Sequence, residues 1–292
     1  MSALRQYLHE NDVSRALAVK LKRAAKYALQ KDKRGAQESS IELLKSMSEP
    51  LLAELHFELR GRHLASHPLF KVYMQINASG LKKACHVGCM FFTFATGDTV
   101  FHEFEVPASP RMLFIIEGKF SYQCGKETES SRVIPGQWVS EAAVWLATWT
   151  YLGTMTATCE SQVMALDAQR FQGIVHTYPT AHLKVYSKLF VEYMKSLCTK
   201  RLLTDLCVDE MELDSMVDDT LRIVEDENLL AAMDSGISGI QDSRKTGRSV
   251  ARFTNSSKRF HTSLRLPRMS TMMMGHQGTM MGNQSSLNQA GL

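Results

Sequence analysis

Residues 136–145, GQWVSEAAVW, carry the pattern of a tight turn feeding a short helix. Gly136 offers a tight turn, Ser140 a cap for a short helix, and Ala142 and Ala143 backbone N–H groups in its first turn, while Val139 crowds the approach to the backbone. Glu141 places a carboxylate beside them. Such a turn-to-helix corner is the kind of backbone that cradles an anion. Yet no Lys or Arg occurs between Val133 and Gln169. The corner therefore has the backbone of an anion site and lacks the cation that normally completes one.

Apolar residues alternate with polar ones on both sides of this stretch. Phe91, Phe92, Phe94, Val100, Phe101, Phe104 and Val106 surround a Gly97-Asp98 turn, and residues 112–116 (MLFII) lead to Gly118, Phe120 and Tyr122. Residues 124–128 make a polar turn, and residues 133–136 start a further element. Residues 155–159 and 162–166 supply the last strands. Short strands at intervals of about ten residues predict an antiparallel barrel or sandwich.

Upstream of Cys85 the period is helical. Leu17, Leu21, Ala24 and Ala28 share one face behind Asp12 or Ser14 as cap. Ser39-Ser-Ile-Glu42 has the capping-box pattern for a helix at Ile41, and Ser48-Glu-Pro-Leu51 restarts one that runs through LLAELHFELRGRHLA. Downstream, helix is predicted from Asp167 through Leu183 and Leu206 to about Met233. Leu213, Val217, Leu221 and Val224 form an apolar stripe between acids, which suits a helix folded back on the strands better than a separate partner-binding helix.

From residue 235 the chain loses periodicity and turns rich in Gly, Ser, Gln and Met, which predicts a disordered tail. Eight Lys and Arg and no acid fall between residues 243 and 269, a balance suited to an anionic lipid surface. Thr246, Ser249, Thr254 and Ser263 lie near those cations, where phosphorylation would cancel charge.

Several function classes find no support. The sequence has no long apolar run and no signal-peptide core, and its six scattered cysteines suit reduced thiols. It carries no P-loop, nucleophile elbow or kinase signature, so the expected class is not an enzyme. Cys85-His-Val-Gly-Cys89 and His63-Leu-Ala-Ser-His67 fall short of a zinc ligand set, and both are read as structural.

Residues 113–122 (LFIIEGKFSY), 132–144 (RVIPGQWVSEAAV) and 161–179 (SQVMALDAQRFQGIVHTYP) resemble, in order, the strand and glycine turn, the phosphate-binding cassette and the closing strand-and-helix of the cyclic-nucleotide-binding domain. Tyr7-Leu8, Tyr27, residues 43–55 (LLKSMSEPLLAEL) and 64–70 (LASHPLF) resemble the C-linker. That linker precedes the domain in cyclic-nucleotide-gated, hyperpolarisation-activated and ether-à-go-go-type potassium channels.

The resemblance implies an α+β chain. A helical C-linker spans residues 1–84, and a small antiparallel β-roll, jelly-roll-like and barrel-shaped with terminal helices, spans 85–200. An acidic amphipathic helix follows over 201–234, then a disordered basic tail over 235–292. It implies a cytosolic gating module at a membrane's inner face, with a transmembrane pore upstream and a homo- or hetero-tetramer formed through the C-linker. Lipid contact by the tail is expected; a nucleic-acid partner is not. The alternatives are a soluble cyclic-nucleotide-responsive regulator or a protein-interaction module.

Carried over by motif, Gly136 matches the glycine before the cassette and Glu141 the glutamate that holds the ribose. Tyr151 and Leu152 stand where the family has its phosphate-binding Arg-Thr pair. Losing that arginine forfeits a charged hydrogen bond of about 1.5–3 kcal/mol, roughly ten- to a hundredfold in affinity. The expectation is no resident cofactor, with cAMP and cGMP disfavoured. Glu141 then serves the helix dipole, or the cavity holds an uncharged ligand or a segment of the chain itself.

Overall fold

In the computed structural model residues 2–34, 38, 41–125, 130–207 and 209–243 are described. Helices come first: α1 Ser2–Glu10, α2 Arg15–Arg34, α3 Glu42–Lys45, α4 Glu49–Leu64, α5 Pro68–Ile76 and α6 Ala78–Lys83. Their ends follow from local chemistry. Ser14 Oγ accepts from Leu17 N at 3.4 Å, and Ser48 stands extended ahead of Pro50 in the first turn of α4. Asn77 caps α6, accepting from Gly80 N at 2.9 Å, while its amide donates to Tyr73 Oη and to Tyr178 O.

Two helix expectations change. Helix α3 starts at Glu42 with Ile41 as an N-cap that makes no side-chain bond, so the capping box is not what opens it. Ser39 and Ser40 lie outside the described residues. On the shared face of α2, Leu17 and Leu21 are also left exposed, at 49% and 39%. Two polar pairs tie α2 to the sheet region: Lys20 bridges Asp98 at 2.5 Å and Tyr27 donates to Glu117 at 3.3 Å.

Cys85 does not begin a strand. Residues Ala84–Gly88 form a π-helical turn, and β1 starts four residues later, at Cys89–Phe94. The remaining strands are β2 Thr99–Phe101, β3 Arg111–Glu117, β4 Phe120–Cys124, β5 Ser131–Val133, β6 Trp138–Val139, β7 Gly153–Ala157 and β8 Ser161–Asp167. They make two four-stranded antiparallel sheets, ordered β1-β8-β3-β6 and β2-β7-β4-β5. The two sheets remain open rather than closing into one barrel.

Strand β3 is buried on both faces, which explains why MLFII is a continuous apolar run and not an alternation. Phe70 of α5 meets Phe114 at 6.2 Å between ring centroids. The other sheet brings Phe120 into the same core. Between β3 and β4 the turn demands glycine: Gly118 has φ +88°, and a Cβ there would lie 2.6 Å from Ser161 Cα. Phe104 and Val106, expected in a strand, instead stand on a loop. Phe104 is 75% exposed at φ +65°, held there by its N–H to Tyr151 O at 2.8 Å.

Three helices follow the sheets. Asp167 caps α8 (Ala168–Thr177) through Arg170 N at 2.9 Å, and Pro179 separates it from α9 (Ala181–Lys200). The helix expected to reach Leu206 stops at Lys200, where Arg201 turns left-handed at φ +59°. Helix α10, Glu210–Ser243, runs past the boundary at residue 234, and nothing in the residue pattern there explains the extension. As expected of a helix that folds back, its Leu213, Met216 and Val217 sit in the common core.

The compact unit is Met1–Gln241. The basic tail beyond residue 243, with its candidate phosphorylation positions, lies outside the described residues.

Candidate functional site

The cassette grows from β6. Trp138 and Val139 pair with Phe114 and Leu113, after a turn in which Gly136, at φ +92°, donates its N–H to Ile115 O at 3.0 Å. Ser140 then takes φ +60°, the left-handed conformation that a glycine would adopt without strain. Ser140 is not the cap: Glu141 holds that position, and α7 spans Ala142–Trp145. The Ala143 N–H is already used, donating to Ser140 O at 3.1 Å.

Ser140 Oγ is buried and finds no partner among the described residues. Ser140→Gly should therefore shift the unfolding free energy by about 1 kcal/mol or less, in the stabilising direction, because relief of strain offsets the extra freedom of the unfolded chain. Denaturant melts check this. A loss above about 2 kcal/mol would mean that the hydroxyl makes a bond worth keeping.

Glu141 is fully committed inside the protein. Its Oε2 lies 2.9 Å from His67 Nε2, and its Oε1 accepts from Tyr186 Oη at 2.9 Å and Trp145 Nε1 at 3.0 Å. His67 Nδ1 accepts from Leu69 N at 3.2 Å as the N-cap of α5, which places the ring proton on Nε2; that nitrogen lies close against the carboxylate but out of line for a hydrogen bond. Burial pushes the Glu141 carboxyl up. The imidazole and the two donors more than offset this and hold it below its ordinary value. One carboxylate thus ties together α5, α7 and α9.

A second carboxylate, absent from the sequence reading, lies opposite. Asp205 Oδ2 accepts from Tyr122 Oη at 2.8 Å, Leu152 N at 2.8 Å and Gly153 N at 3.1 Å, while Oδ1 accepts from Trp149 Nε1 at 2.8 Å. Burial raises the Asp205 carboxyl and these four donors oppose the rise. Burial and the adjacent carboxylate push the Tyr122 phenol up, which keeps it a donor.

The segment carrying Asp205 runs alongside β6 through one isolated bridge. Leu206 bridges antiparallel to Val139, and Asp205 O accepts from Ser140 N at 2.7 Å. The cavity left beside it, lined by Trp138, Ser140, Glu141, Tyr193, Thr204 and Leu206 among others, holds about 20 Å³. That is room for one water, against roughly 300–1,000 Å³ for a small-molecule pocket.

The six residues singled out in sequence are distributed around this arrangement. Gly136 shapes the turn, Glu141 is an internal anchor, and Ala142 and Ala143 are buried in the helix turn. Tyr151 stacks on Phe101, with ring centroids 3.9 Å apart and planes 10° apart. Burial, then Asp205, raises its phenol to about 12. Leu152 contributes its N–H at the position where the resemblance puts the phosphate-binding pair, and the anion it meets belongs to the chain itself. No family model and no curated protein matches this sequence.

The histidine and cysteine pairs resolve differently. His63 and His67 do not share a helix, because α4 ends at Leu64 and His67 opens α5. Cys85 and Cys89 are buried, and Arg60 Nη1 donates to the carbonyl oxygens of both. The Cys85 thiol beside it, together with burial, pushes the Cys89 thiol up. Among the described residues no group of three or more His, Cys, Asp or Glu is placed to hold a metal ion.

Proposed function

We propose that the chain is the cytosolic gating module of a voltage-gated, potassium-selective channel, and that its cassette is occupied by the chain's own residues 204–207 in place of a nucleotide. The observation that carries this reading is the Asp205 carboxylate, seated on two backbone N–H groups, an indole and a phenol beside the cassette. A soluble cyclic-nucleotide-responsive regulator needs that space for its ligand, and about 20 Å³ does not supply it.

The work of such a module is mechanical. His67 of α5, Glu141 of the cassette and Tyr186 of α9 meet at one point, so a displacement of α9 or of the inserted segment is passed to α5. Any ligand or partner biases the pore only by preferring one of the two arrangements. Among the described residues no helix is long and apolar enough to cross a membrane, so on this reading the pore lies on a separate stretch of the whole protein. The exposed Leu17 and Leu21 of α2 support assembly into a tetramer through residues 1–84.

Isothermal titration and sedimentation of the full chain test both parts. A tetramer giving no saturable heat with cAMP or cGMP up to about 1 mM, where binding free energy falls to about 4 kcal/mol, is the expected outcome. A monomer that binds either nucleotide at micromolar concentration overturns the reading in favour of a soluble regulator.

A further inference from the structure

The junction between α4 and the π-helical turn holds a pair of titratable groups unconnected with the cassette. His56 Nδ1 and His86 Nδ1 face each other at 2.8 Å, their rings stacked with centroids 4.9 Å apart. His56 is buried and His86 half-buried. The other nitrogen of His56, Nε2, lies 2.5 Å from Glu38 Oε1, and His86 Nε2 lies 3.9 Å from Glu49 Oε1. Two cations complete the surroundings. Arg60 reaches Glu38 Oε2 at 3.4 Å, and Lys83 pairs with Glu49 at 2.8 Å.

Proton arithmetic follows from the short distance. Two ring nitrogens 2.8 Å apart share one hydrogen, because one must donate and the other accept. The Glu38 carboxylate fixes a proton on His56 Nε2, so His56 Nδ1 is the acceptor and His86 Nδ1 the donor. One further proton fits on His86 Nε2, on the Glu49 side. The next has only His56 Nδ1 to occupy, and there it would set two N–H groups against each other.

We propose that the His56–His86 pair is a proton-operated latch joining α4 to the π-helical turn, closed while a single proton lies between the facing nitrogens and opened by the proton that makes both rings cationic. What opens is the turn itself. Arg60 Nη1 donates to the carbonyl oxygens of Cys85, His86 and Cys89, so α4 braces the turn just where the chain enters β1. Parting the rings pulls on this brace and loosens the junction between the linker helices and the sheets. Burial, followed by the neighbouring His56 and Lys83, lowers His86 from its ordinary value, with Glu49 acting in the opposite direction.

The sign is that of acid release. The opened junction lets His86 take its proton near the ordinary imidazole value of about 6.5, while in the closed one burial and the facing ring hold it lower and the two facing nitrogens admit one proton between them, so closure is complete above that pH and is lost below it. Each withheld proton multiplies the opening constant tenfold per pH unit. The latch stands on this geometry alone and does not depend on the gating reading.

Hydrogen exchange of the full chain, corrected for the intrinsic pH dependence of exchange, tests it. Residues 84–90 are expected to lose protection by about tenfold or more between pH ~6.5 and ~5, while residues 112–115 of β3 keep theirs. In His86→Gln, which cannot become cationic, the protection of residues 84–90 should stay flat. A flat wild-type profile, or an equal fall in His86→Gln, overturns the latch. If His86→Gln fails to fold, shown by lost protection in β3, imidazole NMR of the wild-type chain decides. One protonated and one bare Nδ1 near neutral pH supports the shared proton; two imidazoles titrating independently overturn it.

Discussion

Asp205→Ala is expected to cost about 3–5 kcal/mol of unfolding free energy, the range for breaking a buried charged network from one side. The loss arises from what the carboxylate leaves behind. The Leu152 and Gly153 N–H groups, the Trp149 indole and the Tyr122 phenol all lose their acceptor in one step. A hydrogen bond to a charged group contributes about 1.5–3 kcal/mol, but four bonds on one group do not add, and entering water recovers part of the loss. Asp205→Asn keeps one acceptor oxygen and turns an amide N–H₂ toward donors, so roughly half the loss, about 2 kcal/mol, should remain.

Urea unfolding checks both variants, with the midpoint falling and the slope unchanged. A cost below about 1 kcal/mol for Asp205→Ala would mean the segment is only loosely seated, and the self-occupied reading of the cassette would fall with it. Acid does not do the same work. Since burial raises Asp205, the native state binds more protons than the unfolded chain between their two pKa values. Stability from this group therefore falls as pH rises through that window, and acidification leaves the segment in place.

The contrast between what the residues announced and what they concealed is physical. The strands and the turn at Gly118 were legible because a buried sheet needs apolar runs and a close approach to Ser161 needs glycine. Pro50 and Asp167 marked their helix starts for equally local reasons. The end of α9 was not legible. Arg201 adopts the left-handed cap without being glycine or asparagine, so Leu206 read as helix when it lies in an irregular segment that makes a single β-bridge to Val139.

Misplacing Leu206 hid Asp205. A single acid among Leu203, Leu206 and Cys207 was the only trace of it, and its partners Tyr122 and Trp149 lie 83 and 56 residues away. Phe104 misled in the opposite sense. It continues an apolar alternation, yet the loop's hydrogen bonds to Tyr151 hold it out in solvent. Glu141 was found for its place in a motif, and the structure gives that place a different set of partners.

Those partners make Glu141→Ala the second large effect. A loss of about 3–5 kcal/mol is expected, because His67 Nε2, Trp145 Nε1 and Tyr186 Oη would be left facing a void in a buried site. Glu141→Gln preserves shape and one acceptor oxygen, and should lose about 2 kcal/mol. The pH dependence separates this carboxylate from Asp205 and from the histidine pair. Glu141 is held below its ordinary value, so the native state binds fewer protons than the unfolded chain. Its contribution is complete above the unfolded value of about 4.3 and is lost as pH falls through the lowered folded value. Urea unfolding from neutral pH down to about pH 3 should therefore show the wild-type chain losing stability faster than Glu141→Gln, so that the two curves approach each other at the acid end. The histidine pair responds higher, below pH ~6.5, and locally, so exchange at residues 84–90 changes first and global stability afterwards. If Glu141→Gln keeps the full acid slope, the carboxylate is not the anchor of α5, α7 and α9. Coupling from α9 to α5 would then need another path.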